Sequence, residues 1–346
     1  MPFRIGLTRD FLDSDGKVGW GDIGLAALDE ADGVAWDFID VASGDIPAEA
    51  VRGYDALIVL TPRVTADTLK GADRLALVAR FGVGYDNVDV EACTRHGVVV
   101  TITPDGVRVP VAVSALALLL AAAHRIREKD ALVRTGRWED KLAHMGTGLT
   151  GRVLGLVGWG NIGREVSRVC APLGLRQLAA DPFADRDAAE AAGVTLVELD
   201  TLLAEADFVV VTCALTPQTH HLLNASRLAA MKPSAFLVNV ARGPIVDQAA
   251  LTEALTGRRI AGAALDVFEV EPPDPADPLL ALDNVLLAPH AVAWTDELAL
   301  GNGRGAIQAA LDVAAGRAPA HPVNPAALDH PRFLSSPRFL SRKASR

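Results

Sequence analysis

The chain has 346 residues, 50% of them hydrophobic, and a formal net charge of −10. That length exceeds what one compact core usually serves, so two domains are expected, and the apolar content excludes a disordered chain. The negative balance argues against a nucleic-acid partner, which demands a basic face, but not against small anions, which a single local cation can hold.

The chain enters a strand-like run at once, "FRIGL" within "MPFRIGLTRD", and no leader peptide is expected before it. "DALIVL", "LALVAR" and "GVVVTI" follow as strands, with "DNVDVEACTRHG" as a short helix ended by Gly97. The uncharged run "VPVAVSALALLLAAA" at 109–123 falls short of the ~18–20 residues a membrane span needs, so no membrane partner is expected. Its Ala/Leu content suits a helix buried at a domain or subunit interface. "RIREKDALVRTGRW" then reads as an amphipathic helix.

From Arg152 onward, seven strand-like runs alternate with helices: "RVLGLVG", "RQLAAD", "VTLVE", "DFVVVTC", "AFLVNV", "IAGAALD" and "NVLLAP". Such alternation predicts an α/β protein with doubly wound parallel sheets. A helix at about 297–315 cannot belong to that second sheet. The expected organisation is a discontinuous first domain, 1–103 and 297–328, around a second domain at 104–296. A basic, extended tail at 329–346 carries the repeat "PRFLSS", "PRFLSR". Cys93, Cys170 and Cys213 stand far apart with no CxxC pair, which fits reduced thiols in the cytoplasm. No metal site is assigned.

"VLGLVGWGNIGREV" places Gly158-x-Gly160-x-x-Gly163 after a strand and at the opening of a helix. The first glycine permits the tight turn, the second lets a pyrophosphate approach the backbone, and the third lets helix and strand pack closely. The helix start at Asn161 and Ile162 offers N–H groups and a positive dipole end to phosphates. Asp181 ends the next strand, where a carboxylate accepts hydrogen bonds from ribose hydroxyls and repels a 2′-phosphate. NAD is therefore favoured over NADP.

Three further segments end strands in the same half of the chain: "NVARGP" with Arg242, "LDVFEVEPP" with Asp266, Glu269 and Glu271, and "LLAPHAVAW" with His290. In an open α/β sheet the ligand crevice lies beyond the carboxyl ends of the strands, so these groups are expected to converge. An arginine offers a planar donor fork, and a histidine can give and take a proton near neutrality. Glutamate next to the ring stabilises the imidazolium.

With "GVGYDNVDVEA", "NVARGPIVDQAAL", "AALDVFEVEP" and "APH" in this order and spacing, the chain resembles the D-isomer-specific 2-hydroxyacid dehydrogenases over about residues 50 to 325. The resemblance implies two Rossmann-like domains, an NAD cofactor and a small 2-hydroxy or 2-oxo acid substrate. It implies Arg242 as the carboxylate arginine, Glu271 and His290 as the acid/base pair, and Asp266 as the group that holds the nicotinamide carboxamide. Ala241 joins the expected cofactor contacts. Val83 and Gly84 match the loop that closes on the carboxylate. The resemblance also implies a homodimer paired through about 104–150. Its runner-up is an NAD-sensing corepressor-like interaction protein on the same scaffold. The chain departs from the family at Ser114, where a glutamate is usual, and at Ala214, where a proline is usual. His220 and His221 read as an exposed helix start.

Overall fold

The computed structural model describes residues 1–334. The second copy of the tail repeat and the basic end lie outside the described residues. The start of the tail is not extended: Pro331–Leu334 forms a short helix with Phe333 buried. The chain divides into two compact units, Met1–Val107 with the chain from Trp294 onward, and Arg108–Ala293.

The first unit is a parallel five-stranded sheet in the order β2-β1-β3-β4-β5. Its strands are β1 (Phe3–Thr8), β2 (Val34–Ile39), β3 (Ala56–Val59), β4 (Leu77–Arg80) and β5 (Val99–Thr101). The helix Asp296–Ala314 packs on β3 and β4 in this unit. Its glycines let backbone come close: a Cβ on Gly303 would stand 1.9 Å from the Ile23 carbonyl oxygen. One face of the sheet buries Leu57, Val59, Val78 and Val100 with Ile39 and Leu75. Strand β2 is absent from the sequence reading. It is an edge strand with Asp37 exposed at its centre, so its apolar content gives no continuous run.

The second unit is a parallel seven-stranded sheet in the order β12-β11-β10-β9-β6-β7-β8. Its strands are β6 (Val153–Val157), β7 (Arg176–Ala180), β8 (Val194–Leu196), β9 (Phe208–Val211), β10 (Phe236–Asn239), β11 (Gly262–Leu265) and β12 (Val285–Leu287). All seven correspond to runs read from the sequence. Chain order reverses between β6 and β9, where Val157 pairs with Val211. That is a topological switch point, the usual ligand position in such sheets. Apolar clusters cover both faces, which explains why β9 and β10 are fully buried runs without alternation.

The apolar helix is longer than its uncharged core. It spans Pro104–Ala123, 20 residues at a mean hydropathy of 2.0, and so has the length and composition to cross a membrane. Half of that apolar window is buried in the protein. Ala112, Ala115, Leu118, Leu119 and Ala123 pack with Leu154, Leu156 and Val238 of the second sheet. The amphipathic run after it splits: a helix ends at Arg134, Gly136 turns the chain at φ 69°, and a 3₁₀ turn covers Trp138–His144.

Candidate active site

The glycine loop joins β6 to the helix Asn161–Cys170, and its three glycines do separate jobs. Gly158 has φ 96°, and a Cβ there would stand 2.6 Å from the Cys213 backbone nitrogen. A Cβ on Gly163 would stand 2.4 Å from the Gly158 carbonyl oxygen. Gly160 differs, with nothing within 4 Å of its Cβ direction. The loop is thus tight where it packs and open at the helix cap, the geometry that receives a pyrophosphate. Asn161 is exposed at the first helical position, and Ile162 is half-buried behind it.

Asp181 follows β7 and is locked in place. One carboxylate oxygen accepts the Trp159 N–H at 2.8 Å, the other the Phe183 N–H at 2.9 Å. The carboxylate thus braces the glycine loop from the neighbouring strand.

Arg242 stands where β10 gives way to the 3₁₀ turn Gly243–Ile245. Asn239, buried at the strand end, shapes that exit. Its side-chain amide donates to the Arg242 carbonyl at 3.1 Å and its oxygen accepts the Ala241 N–H at 3.0 Å. Arg242 Nη1 donates to the Ala241 carbonyl at 2.7 Å. Gly243 permits the turn to press on the next loop, since a Cβ would fall 1.8 Å from the Phe268 carbonyl oxygen. The arginine segment and the Phe268–Glu271 loop are therefore packed backbone to backbone.

Glu271 Oε1 accepts the Phe268 N–H at 3.0 Å, and Oε2 lies 2.7 Å from His290 Nδ1. Burial pushes this carboxyl up. The His290 hydrogen bond, the Phe268 N–H and the charges of His290 and Arg242 outweigh it and hold the group below its usual 4.5. Arg242, Glu271 and His290 thus form one electrostatic group at the carboxyl edge of the sheet. Asp266, at the end of β11, is buried. Its Oδ1 accepts the N–H groups of Ala291 and Val292 at 2.9 and 3.1 Å, which fixes the backbone after His290. Val83 and Gly84 lie in the first unit on the loop after β4. That loop is braced where the Gly82 N–H donates to Thr103 Oγ1 at 2.8 Å.

One feature departs from the sequence reading. His221 is not an exposed helix start: it sits in a turn at φ 49°, with Nε2 2.8 Å from Glu269 Oε1. The Glu269 N–H in turn donates to Gln248 Oε1 at 2.9 Å, so a second histidine–carboxylate pair stiffens the loop that carries Glu271. Ser114 is buried and donates to the Val292 carbonyl at 3.0 Å. It holds the same segment after His290 that Asp266 holds.

Residues 116–292 match the family model for the D-isomer specific 2-hydroxyacid dehydrogenase NAD binding domain. A glyoxylate reductase of Korarchaeum cryptofilum is 44% identical over 253 residues, 72% of this chain and 76% of that protein. A D-3-phosphoglycerate dehydrogenase of Archaeoglobus fulgidus is 42% identical over 269 residues, 77% of this chain but 51% of that protein, so the chain spans about half the length of that relative. The crystal structure of the TT0316 protein of Thermus thermophilus superposes with a TM-score of 0.81 at 35% identity, covering 93% of this chain and 100% of that one. The glycine loop, the arginine after β10 and the histidine–glutamate couple thus stand in a chain that belongs to the D-isomer specific 2-hydroxyacid dehydrogenase family, with Arg108–Ala293 holding its NAD-binding domain.

Proposed function

We propose that the protein interconverts 2-oxo acids and D-2-hydroxy acids with NAD(H). Arg242 holds the substrate carboxylate by its planar fork. His290 gives a proton to the ketone oxygen during reduction and takes it back during oxidation. Its Nδ1 is engaged by Glu271, which leaves Nε2 to face the substrate. Glu271 fixes the ring and stabilises its charged form. Asp266 and Ser114 hold the backbone that carries His290. The nicotinamide supplies the hydride when bound. Gly158, Gly160 and Gly163, with Asn161 and Ile162, receive the pyrophosphate, and Asp181 selects NAD over NADP by repelling a 2′-phosphate. Ala241 and Asp266 face the nicotinamide, while Val83 and Gly84 add backbone N–H groups to the carboxylate.

The 2.7 Å couple of His290 and Glu271, under the charge of Arg242, carries this reading. Two charge-assisted hydrogen bonds to a carboxylate set its scale. Arg242→Ala is expected to lower kcat/KM for a 2-oxo acid on the order of 10²–10⁴-fold while NADH affinity, read by fluorescence, stays near that of the parent. Comparable loss of NADH affinity would place Arg242 in the fold and not in substrate binding.

We further propose that two copies pair through residues 104–150. Large apolar side chains stay exposed along this stretch, including Ile126, Val133, Trp138, Leu142 and Met145. The three cysteines are free, and burial pushes the thiols of Cys93, Cys170 and Cys213 up to about 12, 11 and 11, which fits inert thiols in a reducing cytoplasm.

A further inference from the structure

Arg242 and Glu271 stand on two separate loops of the second unit, and the proposed reaction requires both in one register. The segment that joins these loops lies between β9 and the helix Ala225–Ala230. It runs along the arginine turn. The His221 N–H donates to the Pro244 carbonyl at 2.8 Å and the Leu223 N–H to the Ile245 carbonyl at 3.0 Å, while the Asp247 N–H donates to the Leu223 carbonyl at 3.1 Å. By its backbone, His221 therefore belongs to the turn Gly243–Ile245 that follows Arg242. By its side chain it belongs to the other loop, since Nε2 lies 2.8 Å from Glu269 Oε1. Its φ of 49° is a conformation that few residues with a Cβ adopt, and the contacts on both sides hold it there. The His220 ring stacks on it at 4.1 Å.

Glu269 is held from a second direction as well. Its N–H donates to Gln248 Oε1 at 2.9 Å, and its Oε2 accepts the Gln248 N–H at 3.2 Å. Gln248 is itself fixed, because its Nε2 donates to Asp277 Oδ2 at 2.6 Å. Val270, between the two glutamates, is exposed, so burial does not fix the chain there. Beyond Phe268, hydrogen bonds to Glu269 set where the loop stands. Glu271, two residues on, then meets His290 at 2.7 Å.

We propose that His221 and Glu269 are positioning residues for the reaction: the pair sets Glu271, and through it the His290 ring, in line for proton transfer. Two magnitudes separate this role from a structural one. The side chains of His221 and Glu269 are 34% and 32% exposed, and a pair so open to water adds little to stability. A shift of about 1 Å at the reacting groups, in contrast, costs up to about 10²-fold in rate. The Arg242 turn keeps its backbone bonds to residues 221 and 223 whatever side chain stands at 221, so the loss falls on turnover and not on the hold of the substrate carboxylate. The proposal rests on the dehydrogenase reading above.

The test follows NADH oxidation by the full chain with glyoxylate and pyruvate, for the parent, His221→Asn, His221→Gln, Glu269→Ala and the double variant His221→Asn with Glu269→Ala. Asparagine tolerates the left-handed backbone but is too short to reach Glu269, whereas glutamine places an amide donor where Nε2 stood. His221→Asn and Glu269→Ala are each expected to lower kcat about tenfold or more, with KM for the acid, NADH affinity and Tm near those of the parent. His221→Gln should keep most of the parent's kcat, and the double variant should lose no more than the worse single one. Parent-like kcat in both single variants would overturn the proposal. So would a loss that comes with lower Tm and NADH affinity and that glutamine does not restore, since the pair would then serve the fold alone. A parent that oxidises NADH with neither acid would overturn the dehydrogenase reading beneath it.

Discussion

His290 holds a backbone φ of 53°, a conformation that costs a residue with a Cβ roughly 1–3 kcal/mol. Asp266 holds it there through the N–H groups of Ala291 and Val292. Burial raises the Asp266 carboxyl above its usual 3.8, with those two N–H groups pulling the other way. An acid whose pKa is raised on folding binds its proton more tightly in the native state. Its ionised form therefore costs stability, and the cost grows as pH climbs through the window above 3.8. Asp266→Asn keeps the accepting oxygen and removes the charge, so its Tm should exceed the parent's by about 1–3 °C at pH 7, with the gap shrinking toward pH 4. Asp266→Ala strands two N–H groups and should lose about 1–3 kcal/mol in denaturant unfolding. A lower Tm for Asp266→Asn at neutral pH would mean that the charge itself stabilises the site. Arg242, Glu271 and His290 are legible in the sequence because each polar group follows an apolar run that can only be a buried strand. His221 is not, because its partner Glu269 lies 48 residues away and no local spacing announces the pair.

The strand–loop–helix element at 153–170 separates two uses of glycine that a motif merges. Gly163 is needed by the fold: its Cβ would strike the Gly158 carbonyl oxygen at 2.4 Å, backbone against backbone. Gly160 is surrounded by open space and is needed only by whatever enters it. Gly163→Ala should therefore lower stability by about 1–3 kcal/mol through overpacking. Gly160→Ala should melt near the parent temperature yet weaken NADH binding about tenfold or more, as a methyl fills the pyrophosphate cradle. Calorimetry paired with NADH fluorescence reads both. Parent-like NADH affinity in Gly160→Ala would remove the cradle from the cofactor's path. Element by element, the second sheet is fully readable because parallel strands buried on both faces are continuous apolar runs. Strand β2 escapes because an edge strand tolerates Asp37 on its exposed side, and hydrophobic continuity is the only signal the other strands give.

At the scale of the whole molecule, the apolar helix Pro104–Ala123 and the segment after it raise a question of partners. One face of the helix is spent on the second unit's core through Ala112, Ala115, Leu118 and Leu119. Beyond it, Ile126, Val133, Trp138, Leu142 and Met145 remain exposed, Leu142 at 77%. So many large apolar groups along one stretch are rare on a monomer and typical of a surface that a second subunit covers. The 3₁₀ turn Trp138–His144 buries none of its own residues, although Arg125 Nη1 donates to its Ala143 carbonyl at 3.2 Å. Val133→Glu with Leu142→Glu puts two charges into that surface while touching no core position. Light scattering should show the parent at twice the mass of the chain and the double variant at one. The variant's Tm should fall by several degrees, since a dimer's stability includes its association. A parent that already weighs as one chain, or a charged variant that still pairs, would assign this surface to some other contact.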